Sequence, residues 1–202
     1  MGHDGIGFLN TNTDINQKSP SNYGLMDQIA ALHWLQENVA YFGGDATNVT
    51  LIGHGTGAAC VNFLMSSTAV PEGLLFHRVI LMSGSSLSPW ALVKEPSIYA
   101  KQVAQSVNCS FHLPHQILLK CLRDRPLESI LNIAVEVAEF NIAFGPNIDG
   151  VIIDLLFPEC TRERGGGFGT VYITEDGVRV EGDKFSGMIE KQMAGDQSFR
   201  IA

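Results

Sequence analysis

At 202 residues the chain is long enough for one domain with a real core, and 45% hydrophobic against 17% charged residues excludes a disordered polymer. A net charge of −8, from 13 Lys and Arg against 21 Asp and Glu, argues against a nucleic-acid surface, which needs clustered basic residues. No CxxC or HxxxH pair offers zinc ligands, and no cofactor is expected. Met1-Gly2-His3-Asp4 lacks the basic start and apolar centre of a signal peptide. No run is long and apolar enough to span a bilayer, and Ile6 stands where an N-myristoylation signal needs Ser or Thr. Taken alone, these absences favour a cytosolic protein.

Residues 1–21 read as a short strand carrying Ile6, Phe8 and Leu9, followed by a polar loop. Ser21 or Asn22 can cap the helix that comes next. That helix runs over 24–41, with Leu25, Ile29, Leu32, Leu35 and Val39 near helical spacing and Gly43-Gly44 ending it. The same periodicity reads Trp34 as core packing and leaves His33 on the helix side.

Val49-Thr50-Leu51-Ile52 is a β-branched, apolar run, and Gly53, Gly55 and Gly57 alternate with His54 and Thr56 after it. From Ala58 to Met65 the chain continues as a buried helix. Strand, glycine turn and helix is the setting of the nucleophile elbow, G-x-S-x-G, in which the glycines permit strained backbone and close crossing. An ordinary βα turn of a parallel sheet has the same outline. Where the elbow holds Ser, this chain has Gly55, which has no hydroxyl to attack a carbonyl. Thr56 is one residue late for that role, and His54 is no substitute.

Pro71-Glu72-Gly73 marks a loop, Arg78 to Met82 a buried strand, and Ser83 to Ser88 a serine-rich loop of hydrogen-bonding residues. Alternating helix and strand predicts a parallel sheet with right-handed crossovers. Residues 96–138 read as helical throughout. Cys60 reads as a core thiol. From spacing alone, Cys109 and Cys121 are either a disulfide or two unpaired core thiols, and Cys160 is left over. Two N-x-S/T sequons occur, at Asn48 and Asn108, the first where a strand enters the sheet and the second beside Cys109. Asp149, in Ala143 to Gly150, reads as a turn former.

In the tail, Val171-Tyr172-Ile173-Thr174 and Val178-Arg179-Val180 read as a hairpin around Asp176-Gly177. Gly165-Gly166-Gly167-Phe168 has the look of an oxyanion loop or a kinase glycine loop. It follows the elbow instead of preceding it, and no kinase lysine strand follows, so it reads as a flexible linker.

Asn22-Tyr23-Gly24-Leu25-Met26-Asp27-Gln28, Ala31-Leu32-His33-Trp34, Phe42-Gly43-Gly44-Asp45, the elbow, Ser83-Gly84-Ser85, Pro89-Trp90-Ala91 and Phe144 to Gly150 together resemble the type-B carboxylesterase and cholinesterase family. Departures are Ala46 for Pro, His54 for Glu and Gly55 for Ser. The resemblance implies a partial α/β-hydrolase fold over residues 1–150, a central parallel sheet with flanking helices, and leaves 151–202 as an unassigned tail. A foreign exon, a read-through or a lineage-specific extension would all produce such a tail. It also implies that Cys109 and Cys121 are bonded.

An esterase of this fold needs Ser, an acid and a His in that chain order, with oxyanion donors upstream. The oxyanion segment is absent here, and His115 is the last histidine. Glu175 is similar in place to the family's acid. Gly55, Ala58 to Val61, Ser83 to Ala91 and Val107-Asn108-Cys109 are most similar to the non-catalytic adhesion branch, the neuroligins. That likeness implies a membrane-anchored parent with an extracellular domain. Such a parent binds neurexin through calcium and forms a homodimer through C-terminal helices. The competing expectation is a carboxylesterase hydrolysing carboxylic esters through another nucleophile. A third is a chain with no autonomous function, whose open sheet edges favour aggregation.

Overall fold

A computed structural model describes residues 7–11, 20–137, 142–154, 169–174 and 177–181. The chain divides into two units, Met1–Gln28 with Ser88–Leu155 and Ile29–Leu87 with Leu156–Ala202. Helix α1, Tyr23–Asn38, contributes to both. Its Leu, Met, Gln, Ala and Glu residues are good helix formers. A 3-10 turn, Val39–Phe42, extends it to Gly43, whose left-handed backbone (φ 79°) lets its N–H reach the Ala40 carbonyl and close the helix. Leu25 and Leu32 are buried, half-buried Ile29 lies between them, and the predicted stripe is thus present.

Trp34 departs from the expectation. It is 57% exposed, with its ring 6.3 Å from that of Phe42, and Tyr41 is 87% exposed. The reason is angular. Two residues separate Trp34 from Leu32, about 200° around an α-helix, so the two side chains leave opposite faces.

In the second unit a four-stranded sheet has the order β1-β2-β3-β4. The strands are β1 Thr50–His54, β2 Arg78–Met82, β3 Gly169–Thr174 and β4 Gly177–Glu181. β1, β2 and β3 are parallel, with Ile52 opposite Ile80 and Ile80 opposite Val171. β4 runs antiparallel to β3 and pairs Gly177 with Thr174. Two positions, 175 and 176, therefore separate the strands, and Gly177 belongs to β4 and not to the turn. Residues 175 and 176, including Glu175, lie outside the described residues. So do Cys160 and the glycines at 165–167.

Helix α2, Thr56–Ser66, packs on β1 and β2 and is buried from Ala58 to Ser66. Phe63, Leu64, Met65, Leu75, Phe76, Val79 and Leu81 form the core around it. Each large side chain withdrawn from water contributes about 1.5–3 kcal/mol. Cys60 is buried and lies outside the disulfide.

The first unit holds α3, Pro96–Ser106, α4, His115–Arg123, and α5, Leu127–Leu131. The span 96–138 is thus three helices and not one. Asn108 in a left-handed conformation ends α3, and Pro114 and Pro126, each just before a helix, set the restarts. Val103, Ala104, Val107, Cys109, Leu118 and Leu122 form the core, with Leu9, Phe111 and Phe144 against it. A disulfide joins Cys109 to Cys121 within this cluster. Gly7 and Phe8 make a turn, not a strand, and the Gly7 carbonyl accepts from the Gly24 N–H at 2.8 Å. Among the described residues no helix is long and apolar enough to cross a membrane.

Candidate functional site

β1 delivers the chain to Gly55, and α2 leaves from it. Gly55 has φ 56° and ψ −117°, a positive-φ backbone that L side chains rarely adopt. Its N–H donates to the Met82 carbonyl at 2.8 Å, which pins the turn to the end of β2, and its carbonyl accepts from Ala59 N–H at 3.2 Å. A Cβ placed on Gly53 would lie 2.5 Å from the Gly57 carbonyl oxygen and 2.6 Å from the backbone of Ala58. Strand and helix therefore cross too closely there for any side chain. A Cβ on Gly84 would overlap the Gly55 carbonyl. A Cβ on Gly55 would meet nothing within 4 Å. The elbow is complete in backbone and open at the position where a nucleophile would stand.

Among the described residues the neighbouring hydroxyls are either exposed or tied into the loop after β2. Thr56 and His54 are exposed, and among the described residues neither side chain is hydrogen-bonded to a base or a carboxylate. Ser85 and Ser86 are committed to the buried Asn62 of α2. Its Oδ1 accepts from Ser85 Oγ at 3.1 Å, from Ser86 Oγ at 2.7 Å and from Ser86 N–H at 3.0 Å. Ser85 Oγ also accepts from Leu87 N–H at 3.2 Å. These serines tie the loop after β2 to α2. Ser83 is exposed with φ 51°, next to the Met82 carbonyl that holds Gly55.

The other family-like motifs resolve into structural devices. Asn22 and Asn147, both 0% exposed, bond reciprocally: Asn22 Nδ2 donates to the Asn147 carbonyl at 2.8 Å, and Asn147 N–H donates to Asn22 Oδ1 at 3.0 Å. Asn147 Oδ1 accepts from Ser21 Oγ at 2.7 Å and from Asn10 Nδ2 at 2.9 Å. The side chains of Ser21 and Asn22 thus serve this network instead of capping α1, while the Asn22 carbonyl accepts from Leu25 and Met26 N–H. Asp149 Oδ1 accepts from the N–H groups of Val151, Ile152 and Ile153, and Oδ2 accepts from Ser21 N–H. It forms a turn, as its place before Gly150 suggests.

Asp45, exposed, folds the turn after Gly44 by accepting from Thr47 Oγ1 at 2.7 Å and Thr47 N–H at 2.8 Å. The Thr47 hydroxyl bond, then its N–H bond and the charge of His77, hold the Asp45 carboxyl below its ordinary value. Among the described residues no group of three or more His, Cys, Asp or Glu is placed to hold a metal ion. The sequence patterns missed Asn62 and Asn147, because a buried carboxamide is recognised by partners far along the chain.

The carboxylesterase family profile matches residues 5–164. Neuroligin-3 of Mus musculus and of Homo sapiens are each 41% identical to the chain over 160 residues, which is 79% of the chain and 18% of the relative. Neuroligin-2 of Homo sapiens is 40% identical over 148 residues, 73% of the chain and 17% of the relative. The chain thus spans less than a fifth of the length of these curated relatives. With four-fifths of its residues inside the family profile and a βαβ elbow of the matching kind, the chain belongs to the carboxylesterase family and carries part of its α/β-hydrolase fold.

Proposed function

We propose that this chain is part of a catalytically inactive carboxylesterase-like domain in a neuroligin-like cell-adhesion protein. The domain stands outside the plasma membrane, as part of a parent that forms homodimers. Its surface binds a partner ectodomain of the neurexin type at synaptic or other cell contacts. One observation carries this reading: the elbow keeps its backbone but has Gly55 in the nucleophile position. Acyl transfer through that turn needs a hydroxyl activated by a base, and glycine offers neither oxygen nor proton. With chemistry removed, function passes to the surface of the fold. The similarity to neuroligin-3 and neuroligin-2 supports the adhesion branch.

Two assays test it. A neurexin-type ectodomain is titrated onto the chain and onto its full-length parent, with and without calcium. Saturable, calcium-dependent binding to the parent is expected, and its absence refutes the partner. Turnover of a small aryl ester is measured alongside, with none expected above the rate of a heat-denatured sample.

Family membership and the exposed, positive-φ Ser83 beside the elbow favour one rival, an esterase with a displaced nucleophile. Saturable turnover lost in Ser83→Ala or Thr56→Ala establishes the rival. Turnover that survives both substitutions refutes the inactive site and those nucleophiles together.

A further inference from the structure

The end of α3 carries chemistry that adhesion and catalysis both leave unused. Cys109 N–H donates to the Ala104 carbonyl at 2.8 Å and Asn108 N–H to the Gln105 carbonyl at 3.1 Å. This pair of bonds is the Schellman closure, and it places Asn108 at φ 57°. Asparagine tolerates left-handed backbone better than most L residues, so the cap accounts for the main chain. It makes no use of the carboxamide. Asn108 is exposed, and among the described residues its side chain has no hydrogen-bond partner. Two residues on, Ser110 is also exposed, and among the described residues its hydroxyl has no partner. Between them Cys109 is buried and bonded to Cys121, so the central residue of the sequon turns inward and the outer two turn to solvent. Asn-x-Ser with x other than Pro is the acceptor pattern for N-linked glycan. A native disulfide marks an oxidising compartment, the setting in which that glycan is attached.

We infer that Asn108 is N-glycosylated, an inference that rests on the extracellular placement proposed above. The donor is an oligosaccharide linked through its anomeric carbon to a lipid pyrophosphate. Nδ2 of Asn108 forms the bond to that carbon and gives up one proton. The carbon–oxygen bond to the pyrophosphate breaks, the lipid pyrophosphate leaves, and no oxidant or reductant is consumed. A glycan on the folded chain needs an acceptor whose side chain faces water, and Asn108 meets that condition. Asn48 of the second sequon is exposed as well, but its carboxamide oxygen is engaged and its Thr lies in a strand. Asn48 Oδ1 accepts from both terminal nitrogens of the Arg78 guanidinium, Val49 N–H donates to His77 Nδ1 at 3.1 Å, and Thr50 pairs with Arg78 in β1. The glycan belongs to Asn108 and not to Asn48.

The 202-residue chain is secreted from cultured animal cells behind a cleavable leader and compared on gels before and after peptide N-glycosidase. Asn108→Gly, Ser110→Ala and Asn48→Gln are run beside it. One glycosidase-sensitive band shift is expected in the unaltered chain and in Asn48→Gln, and none in Asn108→Gly or Ser110→Ala. Glycosidase treatment is expected to leave Asp at position 108 in the peptide map. Asn108→Gly keeps the left-handed cap, and Ser110→Ala breaks no side-chain hydrogen bond among the described residues, so misfolding does not explain a lost shift. A secreted, disulfide-bonded chain with no shift overturns the inference, as does a shift that persists in Ser110→Ala or disappears in Asn48→Gln. Surface biotinylation of the protein in its own cells tests the placement separately. Labelled protein that is insensitive to glycosidase overturns the glycan alone, and unlabelled protein overturns the extracellular placement and the glycan with it.

Discussion

Restoring the missing hydroxyl isolates what the elbow has kept. In Gly55→Ser the new Cβ meets nothing within 4 Å, so no packing term opposes it. The cost is backbone strain at φ 56° and ψ −117°, roughly 1–3 kcal/mol for an L residue in so sparsely populated a region. Removing glycine also restricts the unfolded chain, which returns about 0.4–1 kcal/mol. The net destabilisation is about 1–2 kcal/mol, or roughly 2–8 °C in melting temperature for a chain of this size. The assay is a thermal melt by circular dichroism, with aryl-ester turnover and labelling by a fluorophosphonate on the same samples. The variant is expected to melt cooperatively a few degrees lower and to show no turnover above the Gly55 protein. A hydroxyl without a base stays a poor nucleophile, and no histidine follows His115 in these 202 residues. Loss of cooperative folding would refute the open elbow. Saturable turnover would refute the claim that the chain lacks the rest of the machinery.

Three further outcomes follow from the same geometry. Gly53→Ala places a methyl 2.5 Å from a backbone oxygen that cannot yield, so it costs at least the upper end of the roughly 1–3 kcal/mol for overpacking, and its melting temperature falls below that of Gly55→Ser. Reducing the Cys109–Cys121 bond releases a loop of sequence separation 12, worth about 3 kcal/mol by chain entropy, so a melt with reductant is expected to fall by roughly 6–12 °C. The lowered carboxyl of Asp45 contributes stability that is present above its unfolded value of about 3.9 and is lost as pH falls through the lower folded value; a pH series of melts on Asp45→Asn is expected to lack that acid component, and equal acid responses refute it.

The parts legible in the sequence are those encoded over short distances. Glycine spacing located the elbow, and the β-branched runs located β1 and β2. The Leu25–Leu32 stripe located α1. Trp34 was misread because periodicity counted it with that stripe, although two residues of helix carry it to the far side. Continuous helix over 96–138 failed for another reason. Local propensity there is uniformly helical, and the breaks come from the left-handed Asn108 and the residues before Pro. The hairpin turn was placed one residue late, since Asp-Gly is a strong turn signal but the pairing of Thr174 with Gly177 sets the register. The Asn22–Asn147 pair was invisible. Its members lie 125 residues apart, and their meaning exists only once the chain has brought them together.

The glycines of the elbow divide by physical cause, and that division separates what the turn needs from what a nucleophile needs. Gly53 and Gly84 answer to crowding: backbone atoms of α2 and of Gly55 occupy the space their side chains would need. Substitution there strains the crossing of β1, α2 and β2, which is the packing centre of that unit. Gly55 answers only to its own backbone angle, and no neighbour crowds it. The turn is held from outside, by Met82 through the Gly55 N–H and by Asn62 through the loop that follows β2. Nothing in that support depends on a hydroxyl at position 55. The nucleophile is therefore separable from the turn that displays it, whereas Gly53 and Gly84 are not separable from the fold. By the same reckoning, a Ser to Gly change at such a turn ends acyl transfer there while relieving backbone strain, so it carries no stability cost.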